Sequence, residues 1–362
     1  MPDRSAQLIV LGSSLWSATL AATVAAGGIE TTYVDTAVRG DAQLGIIRRS
    51  ACDARGFAPD RKAATVAHLG AITLAEFDAL EATFMSDRLG DTGTQLLCTP
   101  RSSIRKSALS RPGLTTIRSR NARTHLDRDR VAGVRTGRDS ITISPVVVAT
   151  GTESSAAATA VAIGGSLDET ALDLVVEAGW SDCQHPEASW FDLGGPILLG
   201  GRGALLLSPA GAFLTFRVGL ADLTGSGMDS LDLMQSVIDH VRFRDILPRT
   251  LPSHNANYPV PAVPRPRAVL QANGLIDLGS FNPHTALVDI EAEFRWGEEI
   301  GRTLRELINE SDLRLVGLSR LGRAAKHQID GTADLAGVIT ASAKTWLETD
   351  SDRLVNALFG GA

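Results

Sequence analysis

The stretch QLIVLGSSLWSATLAATVAAGGIETTYVD, Gln7 to Asp35, constrains the fold more than any other part of the chain. Gln7 to Leu11 is a short apolar run of the kind found in strands buried on both faces of a parallel sheet. Ser14 to Ala26 is small, apolar and free of proline, which predicts a helix packed tightly on that strand. Gly27-Gly28 closes the helix, and Glu30 to Asp35 supplies the next strand. The first 35 residues therefore read as one βαβ unit of an α/β protein. Its turn is Gly12-Ser13-Ser14-Leu15-Trp16-Ser17.

A chain of 362 residues can bury a large core without disulfides or structural metal. With 44% hydrophobic and 21% charged residues it has the balance of a globular protein. A net charge of −6 argues against a nucleic-acid surface, which needs clustered basic residues. Cys52, Cys98 and Cys183 lie far apart without a CxxC pair, so neither zinc spacing nor a dithiol motif is present, and buried reduced thiols are expected. No run approaches the roughly 18 apolar residues of a membrane helix, and the N-terminal run lacks the basic leader and cleavage site of a secretory signal. The expectation is a cytoplasmic protein without a membrane partner. Its arginine content, far above its lysine content, suggests a GC-rich bacterial genome.

Further along, Asp41 to Asp60 shows no periodicity and reads as a long loop, whereas Leu74 to Leu89 has helical spacing. Between Leu114 and Gly151, short strands with polar turns predict an antiparallel meander that returns to a buried strand, Val146 to Val148. Apolar runs split by glycines (PILLG, ALLLSP, AFLTFRVGL) and a helical stretch from Leu231 to Ile246 suit a second, strand-rich domain. The proline-rich YPVPAVPRPR leads back from it. Arg267 to Leu270 and Gly274 to Leu278 are strand-like, Leu287 to Ile308 is helical, and Ala333 to Phe359 is an amphipathic helix. The division is 1–165, 166–264 as an inserted substrate or cap domain, and 265–362.

Four features occur in a telling order. They are the βαβ unit; Asp35, 23 positions after Gly12, where a dinucleotide fold places an acid on ribose; Arg130 to Gly151, ending in Ala149-Thr150-Gly151; and NGLIDLGSFNPHT, Asn273 to Thr285, before a long helix. On these residues the chain resembles the FAD-dependent oxidoreductases of the glutathione-reductase type. Geranylgeranyl-reductase and xanthan-lyase-associated oxidoreductases are the nearest subclasses, and the resemblance covers about half the chain: 5–40, 113–165 and 265–310. It implies a Rossmann-like FAD/NAD(P)-binding fold with an inserted strand-rich domain, and FAD bound with its ring between the domains. It also implies cofactor contacts at Gly12, Ser13, Ser14, Trp16, Ser17, Asp35, Thr150, Gly151, Gly279 and Ser280.

The departures from the family pattern fall on those contacts. Ser14 and Ser17 stand where the family has its second and third glycines, Trp16 adds a large ring, and Gly279-Ser280 replaces the usual Gly-Asp. The helix N-terminus would still attract an anion. His284, in the loop near the expected flavin ring, is the candidate general acid or base. His254 and His185 are weaker candidates, and no metal spacing occurs. The halogenase Trp-x-Trp-x-Ile-Pro run and the disulfide-reductase CxxC are absent. Two readings stay open: an FAD-dependent oxidoreductase of a small or medium organic substrate in specialised metabolism, or a degenerate relative that has lost FAD. The latter would serve as a partner subunit of another protein chain or as a cofactor-independent isomerase or cyclase.

Overall fold

The computed structural model describes residues 4–36, 43–57, 61–73, 83–85, 96–137, 140–150, 172–183, 185–240, 246–248, 250–261, 269–270, 274–278, 290–311, 313, 319–321 and 323–324. In chain order the first segment contains β1 (Arg4–Ser5), β2 (Leu8–Gly12), α1 (Leu15–Ala26), β3 (Thr31–Asp35), β4 (Leu44–Arg48), α2 (Arg49–Ala54), β5 (Ala64–Thr73), β6 (Thr83–Met85), β7 (Leu96–Pro100) and α3 (Arg101–Leu109). Five short strands follow: β8 (Leu114–Arg118), β9 (Arg123–Asp127), β10 (Arg130–Arg135), β11 (Ile141–Ile143) and β12 (Val147–Ala149). The remainder is β13 (Leu172–Trp180), β14 (Ala188–Gly194), β15 (Arg202–Ser208), β16 (Gly211–Gly219), α4 (Leu220–Ser226), α5 (Ser230–Asp239), β17 (His254–Pro261), β18 (Val269–Leu270), β19 (Leu275–Asp277) and α6 (Ile290–Asn309).

These strands form three sheets. The first has the order β18-β19-β12-β2-β3-β8, parallel throughout except for the antiparallel edge strand β18. Its central strands β2, β3 and β12 are buried along their whole length, as their unbroken apolar runs require. Register pairs Gly12 with Asp35, Leu11 with Ala149, and Ala149 with Asp277, so these residues meet at the carboxyl ends of the strands. In open parallel sheets that edge is where ligands bind. Of the expected meander, β9, β10 and β11 are antiparallel in a four-stranded sheet of order β1-β11-β10-β9, whose β1 is parallel, while Leu114–Arg118 departs from the expectation and joins β3 as a parallel edge strand.

Helix α1 is buried on nearly every side because α6 lies across it. The crossing is close at two glycines one turn apart. A Cβ on Gly297 would sit 2.5 Å from the Trp16 carbonyl oxygen and 2.6 Å from Thr19 Cβ, and one on Gly301 would sit 2.9 Å from Thr23 Cβ. Trp16, Leu20, Trp296, Ile300 and Leu304 fill the space around this contact.

The largest sheet runs β17-β13-β16-β15-β14-β5-β7-β4, with β6 paired to β5. One of its faces packs against α4 and α5 through Phe216, Val218, Leu223, Leu233 and Val237. The sheet curls, so that Leu44 and Ile46 of β4 and Leu96 and Cys98 of β7 share a core cluster with Leu206 and Phe213. It therefore draws strands from 44–100 as well as from 172–261.

Three local expectations need correction. Asp41 to Asp60 is not simply a loop, because it contains β4 and α2. Five residues of LGIIR are too few for a periodic signal, and α2 begins without a side-chain cap. Within Leu74 to Leu89, the described residues Thr83–Met85 form a strand bonded to β5 rather than helix. PILLG is not a strand either: Pro196–Leu198 is a 3-10 turn, after which Leu199 takes a left-handed conformation.

Candidate functional site

The carboxyl edge of the parallel sheet brings the first-turn residues together with groups that the sequence did not single out. Gly12 is needed here because of its neighbours within the protein. A Cβ on it would lie 2.1 Å from Thr150 Oγ1 and 2.9 Å from Ser17 Oγ. Thr150 is buried, and its hydroxyl donates to the Leu11 carbonyl at 3.0 Å. Thus the space that a glycine offers is taken by the protein's own side chains.

Ser14 and Ser17 work as a capping pair. Ser14 is the N-cap of α1, and its Oγ accepts the Ser17 N–H at 3.3 Å. The Ser17 hydroxyl donates to the Ser14 carbonyl at 2.7 Å and meets the buried Tyr33 hydroxyl at 3.1 Å. Trp16 does not present its ring to a ligand, since the indole lies in the core with Val148 and Trp296. Its backbone N–H faces the site and donates to Glu293 Oε2 at 3.2 Å.

Glu293 comes from the first turn of α6 and is 7% exposed. It also pairs with Arg101, the first residue of α3. One turn along α3, Arg105 pairs with the buried Asp35, which Arg118 approaches at 3.8 Å from the exposed side. Beside them Arg48 grips Glu291 with Nε at 2.9 and 3.0 Å from the two carboxylate oxygens. Ser13 is buried in the same turn, and the Thr36 hydroxyl, just past Asp35, has no hydrogen-bond partner among the described residues. Gly151, Gly279, Ser280 and His284 lie outside the described residues.

The arrangement allows a test of fit for FAD. A pyrophosphate needs the free N–H groups and positive end of the helix. Here Ser14 satisfies the N–H of Ser17, and a carboxylate already satisfies that of Trp16. A second anion there would face like charge in a low-dielectric setting. The acid that would hold ribose, Asp35, is engaged by Arg105. The residues present do not fit FAD in the manner that the family resemblance implies.

The sequence reading missed Glu293, Arg101 and Arg105. The four-residue spacing of the two arginines on α3 was the only local clue, and no spacing links them to a glutamate some 190 positions away. Of the weaker candidates, His185 is half-buried with Nε2 3.3 Å from Cys183 Sγ, and burial lowers its pKa. His254 is 6% exposed on β17 and pairs with Glu177. Among the described residues no group of three or more His, Cys, Asp or Glu side chains is placed to hold a metal, and no helix is long and apolar enough to cross a membrane.

No family model and no curated protein matches the sequence. Solved structures do match, over almost the whole chain. A geranylgeranyl bacteriochlorophyll reductase-like protein from Thermoplasma acidophilum superposes with a TM-score of 0.65 at 13% identity, over 98% of this chain and 90% of that one. A flavin-dependent brominase carrying three substitutions gives 0.67 at 11% identity, over 97% and 94%. PqsL, a probable FAD-dependent monooxygenase from Pseudomonas aeruginosa, gives 0.56 at 12% identity, over 98% and 99%. The chain has the fold of the FAD-dependent oxidoreductases.

Proposed function

We propose that this protein keeps the flavoprotein fold without holding FAD in the family's manner. It acts on, or presents, a small organic ligand as a cofactor-independent catalyst or as the partner subunit of another chain. One observation carries the reading: the Glu293 carboxylate accepts the Trp16 N–H at the N-terminus of α1, where a pyrophosphate would sit. Arg101 holds that carboxylate in place. The 1–165, 166–264 and 265–362 division enters only as a proposal, with the large sheet as the ligand side.

The second reading, an FAD-dependent oxidoreductase of a small or medium organic substrate, is favoured by the full-length likeness to flavin enzymes and by the register of Gly12, Asp35 and Ala149. Titration with FAD, followed by flavin absorbance and fluorescence, separates the two. Under the first reading the wild type shows no saturable binding up to about 1 mM, a limit near −4 kcal/mol. Glu293→Ala, which removes the carboxylate from Trp16 N–H and Arg101, then binds pyrophosphate at least about tenfold more tightly than wild type, a gain of about 1.4 kcal/mol. A stoichiometric flavin spectrum from the wild type would sink the first reading and establish the second.

A further inference from the structure

The large sheet carries a second polar cluster on the face opposite α4 and α5. Glu177 of β13 is 6% exposed and accepts three hydrogen bonds: from Gln43 Nε2 at 2.6 Å, from the Tyr258 hydroxyl at 2.8 Å and from His254 Nε2 at 3.2 Å. A carboxylate only accepts, so Nε2 donates to Glu177, and in the neutral imidazole Nδ1 is then the nitrogen without a proton. No partner for Nδ1 occurs among the described residues, and the Phe213 ring stands beside the imidazole at 6.5 Å between centroids. Directly across from Glu177 in the strand register is Thr215, wholly buried, whose hydroxyl has no partner among the described residues. On the same face Arg217 pairs diagonally with Asp173 at 2.5 Å, Arg217 lying opposite Val175 and Asp173 opposite Gly219.

The cluster also touches the first site. The Gln43 carbonyl accepts the Arg101 N–H at 2.9 Å, while the Gln43 side chain reaches Glu177. Continuous contacts thus run from the N-terminus of α1 through Glu293 and Arg101 to Gln43, Glu177 and His254. Nothing in packing alone calls for an acid, an imidazole, a phenol and an orphan hydroxyl on a buried sheet face. Orphan polar groups in such a place cost about 1–3 kcal/mol each.

We propose that Glu177 and His254 form a proton-transfer site for a small, uncharged organic substrate bearing an acidic C–H next to a carbonyl. His254 Nδ1 removes the proton. In a substrate whose acidic carbon lies between the carbonyl and a C=C bond, the C–H electron pair becomes a new C=C bond while the carbonyl π pair moves to oxygen. The oxygen pair then re-forms the carbonyl, the original C=C pair shifts into conjugation, and the proton adds to the far carbon of that C=C. The product is an isomer, and no oxidant or reductant is consumed. His254 is the catalytic residue; Glu177 is a positioning residue that fixes its tautomer, as the acid of a catalytic triad does. The proposal rests on the FAD-free reading only in assigning redox-neutral chemistry.

The probe is 5-nitrobenzisoxazole, whose ring opens when a base takes its C–H proton. The carbon–hydrogen pair completes a nitrile, the N–O bond breaks with its electron pair passing to oxygen, and the product is a single coloured cyanonitrophenolate. The wild type is expected to exceed free imidazole at equal concentration by at least about a hundredfold, the lower end of general-base catalysis. His254→Ala loses at least tenfold of that rate, and added imidazole restores part of it, a rescue that a structural histidine would not show. Glu177→Gln lowers kcat more than it raises KM. Far-UV circular dichroism checks that each variant folds, with His254→Asn replacing the alanine variant if that one does not. A wild-type rate no greater than that of imidazole, or a His254 variant that keeps the rate, overturns the proposal. Flavin binding by the same preparation would overturn the FAD-free reading and leave this result standing.

Discussion

Gly297→Ala tests how closely α6 is pressed onto α1. The added methyl would meet the Trp16 carbonyl oxygen at 2.5 Å, Thr19 Cβ at 2.6 Å and the Leu20 nitrogen at 2.9 Å, all on or next to backbone that cannot rotate away. Ordinary contact needs about 3.4 Å or more, so the helices must separate by nearly 1 Å. A gap of that size forfeits a quarter to a half of the dispersion energy across the interface. Trp296, Ile300 and Leu304 all lose by it. Overpacking of this kind costs about 3 kcal/mol at the upper end of its usual range, and the better helix propensity of alanine returns about 1 kcal/mol. The net loss is about 2 kcal/mol. Gly301→Ala is milder, because its nearest contacts are 2.9, 3.0 and 3.1 Å. Urea unfolding with an unchanged slope should rank the proteins wild type, Gly301→Ala, Gly297→Ala. If Gly297→Ala is as stable as wild type, the close crossing is wrong, and with it the position from which Glu293 reaches Trp16.

Three further outcomes follow from the same site and core. Ser17→Ala removes the bond to the Ser14 carbonyl and a partner of the buried Tyr33 hydroxyl, and should cost about 1–2 kcal/mol in chemical denaturation. Asp35→Asn removes the carboxylate that the half-buried Arg105 pairs with and should cost about 1–2 kcal/mol; an unchanged denaturation midpoint would show that this pair adds nothing to stability. Complete burial pushes the Cys98 thiol up to about 12, above the 9.0 of the exposed group. The unfolded chain then loses its proton first, so stability is intact below pH 9 and falls as pH rises towards 12, by up to about 1.4 kcal/mol per pH unit. Comparing wild type with Cys98→Ala at neutral and alkaline pH isolates that contribution.

Sequence and structure agree where the signal is local. The run Leu8–Gly12 and the helix Leu15–Ala26 bury residues that are apolar or small, and the short strand Thr31–Asp35 follows ending on an acid, so the βαβ unit was legible from type and order alone. The antiparallel strands between Arg123 and Ile143 announced themselves by alternating strands and turns, whereas Leu114–Arg118, which reads the same way, belongs to the parallel sheet. Strands β4, β5 and β7 were hidden because their partners lie far along the chain, Ala188 opposite Val66 for example. The candidate site divides in the same way. Gly12, Asp35 and Thr150 meet as their order implied, yet what they meet differs. Thr150 fills the space beside Gly12, and Arg105 takes Asp35. Glu293 was invisible because a glutamate in the first turn of an amphipathic helix looks like any solvated acid until the fold places it against another helix.

The parallel pairing of β14 with β5 bears on how the chain is made. During synthesis β5, β6 and β7 leave the ribosome before Ala188–Gly194 exists, so an edge of β5 must wait through about a hundred residues of translation, which takes seconds at ordinary elongation rates. Of the parallel sheet, the first segment can assemble only β12, β2, β3 and β8, since β19 and β18 arrive still later. A nascent chain halted near residue 165 would therefore expose unpaired strand edges, the kind of surface that holding chaperones cover. In this protein the vulnerable interval belongs to the first half of the chain, and the second half ends it.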